Sequence, residues 1–155
     1  MPTTTLAAPK PGDRFGNWVY ECETKSEKAI CALTQTVTLK NNQARILKLT
    51  LGRLGKENKL MLVALLPLGI HLPAGVAGKI DNANQFPLTL HTCTQNGCEA
   101  VIEVDQHLRW KMKAGKEFFL GFKANPTPPT ITIKTSLDGT SAGLNAIGEG
   151  WKPTN

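Results

Sequence analysis

A chain of 155 residues, 41% of them hydrophobic and 19% charged, has the length of one domain and enough apolar content to build a core. Its net charge of +6 favours polyanionic contacts, yet no run of consecutive Lys or Arg forms a tail or recognition helix, so nucleic acid is not expected as a partner. A membrane-spanning helix is excluded too, because the best apolar run, "LMLVALLPLGI" from Leu60 to Ile70, is broken by Pro67 and Gly69.

Residues 1–12, "MPTTTLAAPKPG", contain no apolar stretch of the signal-peptide kind and read as a flexible lead-in. From residue 13 the pattern has the period of a strand. In "NWVYEC", Trp18, Tyr20 and Cys22 share one side. In "ARILKLTLG", Leu47, Leu49 and Leu51 alternate with Lys48 and Thr50. "LMLVALL" is apolar on both faces and predicts a central strand or one covered on both sides. Pro67, Gly69 and Pro73 in "LPLGIHLPAG" predict a crossover or corner. Further on, "KEFFLGF" keeps Phe118, Leu120 and Phe122 in step, and "PTITIKT" alternates Ile131 and Ile133 with polar residues.

Turn signals separate these runs at intervals of roughly 10 to 15 residues, the spacing of an antiparallel sandwich or barrel. Two short helices are predicted. "DQHLRWKMKAG" has Asp105 as N-cap, Leu108 and Met112 on one face and Gly115 as a stop; "SLDGTSAGLNAIGEG" starts a helix near Asp138 or Thr140. The expectation is a single all-β antiparallel sandwich over 13–148, with roughly eight to ten strands and one or two short helices, one of them near the C-terminus. Residues 149–155 are expected to form a polar tail.

Four cysteines, Cys22, Cys31, Cys93 and Cys98, allow three pairings. Cys22 and Cys31 lie in successive strand-like runs around a polar loop, while Cys93 and Cys98 flank "TQNG", a four-residue hairpin loop that would set them opposite each other. Local pairs Cys22–Cys31 and Cys93–Cys98 are therefore favoured. A zinc site from His91, Cys93, Cys98 and His107 lacks the usual knuckle spacing, and a redox pair lacks the Cys-x-x-Cys at a helix start. Disulfides would place the protein in an oxidising compartment.

Catalytic motifs fail. "GVAGKID" and "LGRLGKEN" lack the spacing and hydroxyl of a phosphate loop, and "DNANQ" lacks the glycine and glutamate of a calcium loop. No Gly-x-Ser-x-Gly occurs, and His71, His91 and His107 sit in no triad setting. No catalytic residue, metal or cofactor is predicted. Two surface features remain: the basic group Arg109, Lys111, Lys113 and Lys116, and the tryptophans Trp110 and Trp151, of which Trp151 in the polar end is the expected exposed one, while Trp18 reads as core.

Taken in order, "GNWVYEC", Cys31 followed by "ALTQ", "LPLGIHLPAGVAGKID", "CTQNGCEA", "MKAGKEFFLGF" and "TSLDGTSAGLNAI" resemble the bacterial invasion-associated locus B family, from about Asp13 to Ile147. The chain departs from that pattern at Thr140, where the family tends to have Phe. The resemblance implies a small exported protein of Gram-negative bacteria, periplasmic or outer-membrane associated, whose signal peptide has been removed and some of whose relatives are linked to host-cell entry. It implies no catalytic residue. The expected function is a non-enzymatic accessory or interaction protein. Anionic envelope lipid, a host-cell surface component or another envelope protein would be its partner. A glycan-binding module, or a hydrolase inhibitor presenting "LPLGIHLPAG" as a protruding loop, is the alternative.

Overall fold

The computed structural model describes residues 9–148 apart from 26, 42, 55 and 56. Its strands are β1 (Arg14–Phe15), β2 (Trp18–Lys25), β3 (Lys28–Thr38), β4 (Arg45–Leu54), β5 (Lys59–Leu66), β6 (Val76–Ile80), β7 (Phe86–Thr94), β8 (Gly97–Glu103), β9 (Glu117–Phe122) and β10 (Ile131–Ser136). Two α-helices, α1 (Gln106–Ala114) and α2 (Thr140–Ala146), and a short 3-10 turn (Leu72–Ala74) complete the described elements.

All strand neighbours are antiparallel, in the order β1-β2-β3-β4-β5-β8-β7-β6-β9-β10. Strand β7 joins two layers. Its Thr89–Thr94 stretch pairs with β8, and its Phe86–Leu88 stretch pairs with β6. The sheet folds over there, so that its two ends face one core. Gln35 of β3 bridges the layers: its amide donates to the Ser136 carbonyl at 2.8 Å and accepts from the Ser136 N–H at 3.0 Å. A side-chain amide thus does for β3 and β10 what a backbone pair does inside a sheet, and the buried polar group is satisfied.

The predicted faces are found inside. Leu47, Leu49 and Leu51 of β4, Leu60 and Leu62 of β5, and Phe118, Leu120 and Phe122 of β9 are buried in a common cluster with Trp18, Met112 and Leu144. Of the two forms of the expectation for "LMLVALL", the central strand is the one found. Strand β5 is central, between β4 and β8, but Met61, Val63 and Leu65 point away from the core and are only half-buried.

The corner 67–75 is tied to the body. The His71 N–H donates to the Lys123 carbonyl, and Ile70 packs on the core, while Leu68 and Leu72 are exposed. A loop that packs on nothing in its own domain, as the inhibitor reading requires, is not what the fold presents. The described end of the N-terminal lead-in is tied as well, the Gly12 N–H donating to the Tyr20 carbonyl at 2.7 Å.

Asp81, at the exit of β6, has a structural job rather than the calcium chemistry already rejected for "DNANQ". Its carboxylate accepts from the N–H of Glu117 at 2.9 Å and of Lys116 at 3.2 Å, holding the entry to β9. Asp81 also sits at φ 50°, a region open to Asn and Asp but not to Ala. Asp81→Ala is expected to cost about 1–3 kcal/mol and Asp81→Asn clearly less. Urea unfolding midpoints check this; equal losses for the two variants would refute it.

Candidate functional site

The cysteines join as disulfides Cys22–Cys31 and Cys93–Cys98, each pair directly opposite across its hairpin with Cα atoms 4.0 Å apart. The second hairpin is tighter than the four-residue loop expected. Thr94 pairs with Gly97, leaving Gln95 and Asn96 as a two-residue turn. Gly97 adopts φ 137°, and a Cβ there would collide with the Leu66 carbonyl oxygen, so the glycine serves the strand start and its approach to β5 rather than the turn centre.

With its thiols bonded, the zinc set dissolves. His91 is the extra residue of a register shift between Leu90 and Thr92, which breaks the alternation that would have put it on the Cys93 face. His107 lies on α1 and His71 in the 67–75 corner. Among the described residues no group of three or more His, Cys, Asp or Glu is placed to hold a metal ion, and no helix is long and apolar enough to cross a membrane.

Helix α1 organises the predicted basic group. Asp105 caps it, its carboxylate accepting from the Leu108 N–H at 2.8 Å, and Gly115 follows its last turn. Leu108 and Met112 are buried, so at about 100° per residue the opposite side of the helix is centred on Trp110. Trp110 is 68% exposed, more than any other large hydrophobic side chain described. Arg109 and Lys113 flank it on one side, Lys111 and His107 on the other. Lys116 lies exposed just beyond Gly115. The four cations therefore do not make one patch: Arg109, Lys111 and Lys113 border an indole, and Lys116 lies beyond the helix. A shallow depression of about 530 Å³, lined by Asp105, Gln106, His107 and Trp110, opens at the helix start. Lys111 and Lys113 also suit the negative end of the helix dipole, which accounts for part of their placement without any ligand.

The expectation had singled out Trp151, which lies outside the described residues. Trp110 was weighed beside it, and the helical period marks Trp110 as outward-facing once Leu108 and Met112 are assigned inward.

The motif blocks from the two ends of the chain meet. The Asn17 N–H donates to the Asp138 carbonyl at 3.1 Å, and the Trp18 indole N–H donates to Thr140 Oγ1 at 3.0 Å. Gly16 and Gly139 both have positive φ, and a Cβ on either would run into the other's backbone stretch. The sequence profile described as invasion associated locus B (IalB) protein matches residues 18–148, a span that includes the Trp18–Thr140 contact and both disulfides. The chain belongs to this family.

Two invasion protein B homologs of Brucella abortus, from strains 2308 and 9-941, are each 26% identical to it over 150 residues, covering 93% of this chain and 86% of theirs. The crystal structure of invasion associated protein b from Bartonella henselae superposes with a TM-score of 0.75 at 20% identity, covering 87% of this chain and 92% of that one. That likeness bears out the β-rich family fold with its C-terminal helix. At Thr140, where the family tends to have Phe, this chain has a buried hydroxyl that accepts from Trp18 and donates to the Leu137 carbonyl at 2.6 Å.

Proposed function

We propose that this invasion-associated locus B family protein is a non-enzymatic, exported interaction protein that contacts anionic headgroups of the cell envelope through α1. The observation that carries the reading is Trp110, exposed at the centre of a helix face bordered by Arg109, Lys111 and Lys113. An indole between cations suits a membrane interface, where the ring enters the headgroup level and the cations meet lipid phosphates. Both disulfides support an oxidising location, periplasmic or outer-membrane associated. The printed names of the relatives, invasion protein B homologs, support a link to host-cell invasion.

Flotation with phosphatidylglycerol-containing vesicles tests this. Binding is expected at low salt, with none to phosphatidylcholine alone. Trp110→Ala, and Lys111→Glu with Lys113→Glu, should each weaken it about tenfold or more. Absent binding, or binding unchanged by the charge reversals, overturns the proposal. A glycan-binding reading has the depression beside Trp110, Asp105 and His107 in its favour. Uncharged oligosaccharides that quench Trp110 fluorescence while vesicles fail to bind would select it.

A further inference from the structure

Strand β5 exposes an anomaly. In an antiparallel sheet with one face on the core, the other face is expected to be polar. Here, after the exposed Lys59, the outward side chains of β5 are Met61, Val63 and Leu65, all aliphatic or thioether and all half-buried. The register extends the strip sideways. Val63 stands opposite Val101 of β8, and Leu54 and Ile30 continue it toward β4 and β3. Two adjoining depressions, of about 400 and 440 Å³, share Leu54, Val63 and Glu99 in their lining. No described element covers this strip, although its sequence reads as a central strand or one covered on both sides.

The strip's border is charged, with one sign dominant. Glu21, Glu23, Glu57 and Glu99 line the depressions, and Glu103 stands opposite Met61. Against these five glutamates stand Lys48, 4.0 Å from Glu21, and Lys59, 2.9 Å from Glu57 and 4.0 Å from Glu103. The Lys59 ammonium is held above its usual pKa by its hydrogen bond with Glu57 and then by the charges of Glu103 and Glu57. Among the described side chains this face is net negative, on a chain of net charge +6.

We propose that the outer face of β2, β3, β4, β5 and β8 docks a cationic amphipathic segment of a partner protein, its apolar side on Met61, Val63 and Leu65 and its Lys or Arg residues against Glu21 and Glu99. Charge selects this occupant. A second copy docking by the same face would set glutamate against glutamate, because a two-fold contact repeats the same patch on both sides. Anionic headgroups are repelled for the same reason. A cationic segment with an apolar face satisfies floor and border together, in the manner of a helix laid on an apolar groove. This inference does not depend on the reading of α1.

A fluorescent amphipathic helix of about five turns, built from Leu and Lys, is the probe, with a Leu/Glu and a Ser/Lys helix as controls. Anisotropy should show saturable binding of the Leu/Lys helix alone. It should weaken about tenfold with Glu21→Lys plus Glu99→Lys, with Val63→Thr plus Leu65→Thr, and at high salt. Glu21 is exposed and Glu99 half-buried on the outer face, so the glutamate pair preserves the test if the threonine pair fails to fold by circular dichroism. Equal binding by wild type and the charge-reversed variant overturns the proposal, as does equally tight binding of the Leu/Glu helix. Sedimentation velocity supplies the last outcome: self-association abolished by the same glutamate reversals would make a second copy the occupant and also overturn it.

Discussion

Replacing Trp18 by alanine is expected to lower the unfolding free energy by about 3–5 kcal/mol, a large part of the roughly 5–15 kcal/mol that a domain possesses. Trp18 is fully buried, at 0% exposure, on the inner face of β2, where Leu33 and Leu144 belong to the same cluster. Its loss removes the largest side chain at the place where the two ends of the chain close on each other. Thr140 separates packing from hydrogen bonding. Thr140→Val keeps the volume but leaves the indole N–H without its acceptor in a dry site, at a cost of about 1–3 kcal/mol. Trp18→Phe keeps part of the ring and removes the donor, while the Thr140 hydroxyl still donates to the Leu137 carbonyl. Once Trp18 is Phe, the added loss from Thr140→Val should shrink, because the two groups share one bond. Guanidinium unfolding of the single and double variants measures this coupling. A loss under about 1 kcal/mol for Trp18→Ala would mean that the closure contributes little.

This closure also marks the limit of sequence reasoning. Period-two alternation identified Leu47, Leu49 and Leu51, and Phe118, Leu120 and Phe122, as inward, because burial of one sheet face imposes that pattern directly. Asp105, Leu108, Met112 and Gly115 likewise marked α1, since capping and helical spacing are local. Partnership between Trp18 and Thr140, 122 residues apart, leaves no such local trace. Neither does the Gln35 bridge to Ser136, where a polar residue in a strand looks like any outward position. The loop after Cys93 was read two residues too long because Gly97 has the composition of a loop residue, whereas it is demanded by the approach of the Leu66 carbonyl from a neighbouring strand. For the candidate surfaces, the cations of α1 were legible one by one, but their arrangement around Trp110 needed the buried face to be known. The apolar outer face of β5 was visible in "LMLVALL", which reads as a central strand or one covered on both sides; the fold makes it central and covers one face.

Unstapling the two hairpins should have unequal effects. On the chain-entropy account each disulfide contributes about 2–3 kcal/mol, slightly more for Cys22–Cys31, whose cysteines are 9 residues apart, than for Cys93–Cys98, 5 apart. Position widens the gap. The β7–β8 hairpin is held by β5, whose Leu66 pairs with Cys98 itself, so its register survives without the bond. The β2–β3 hairpin has β4 on one side and only the two-residue β1 on the other. Cys22→Ala with Cys31→Ala is therefore expected to cost about 3 kcal/mol and to speed hydrogen exchange at the hairpin's end, whereas Cys93→Ala with Cys98→Ala costs about 2 kcal/mol with little local opening. Removing both should lower stability by about 5 kcal/mol, which for a domain near the lower end of the usual range leaves little folded protein. Urea unfolding of the oxidised protein, the reduced protein and the two double variants distinguishes these cases. Equal losses for the two pairs would show that loop closure alone, not the support of neighbouring strands, sets what each bond contributes. An unchanged midpoint on reduction would remove the energetic reason for this chain to work in an oxidising compartment, since it would then fold as well without its bonds.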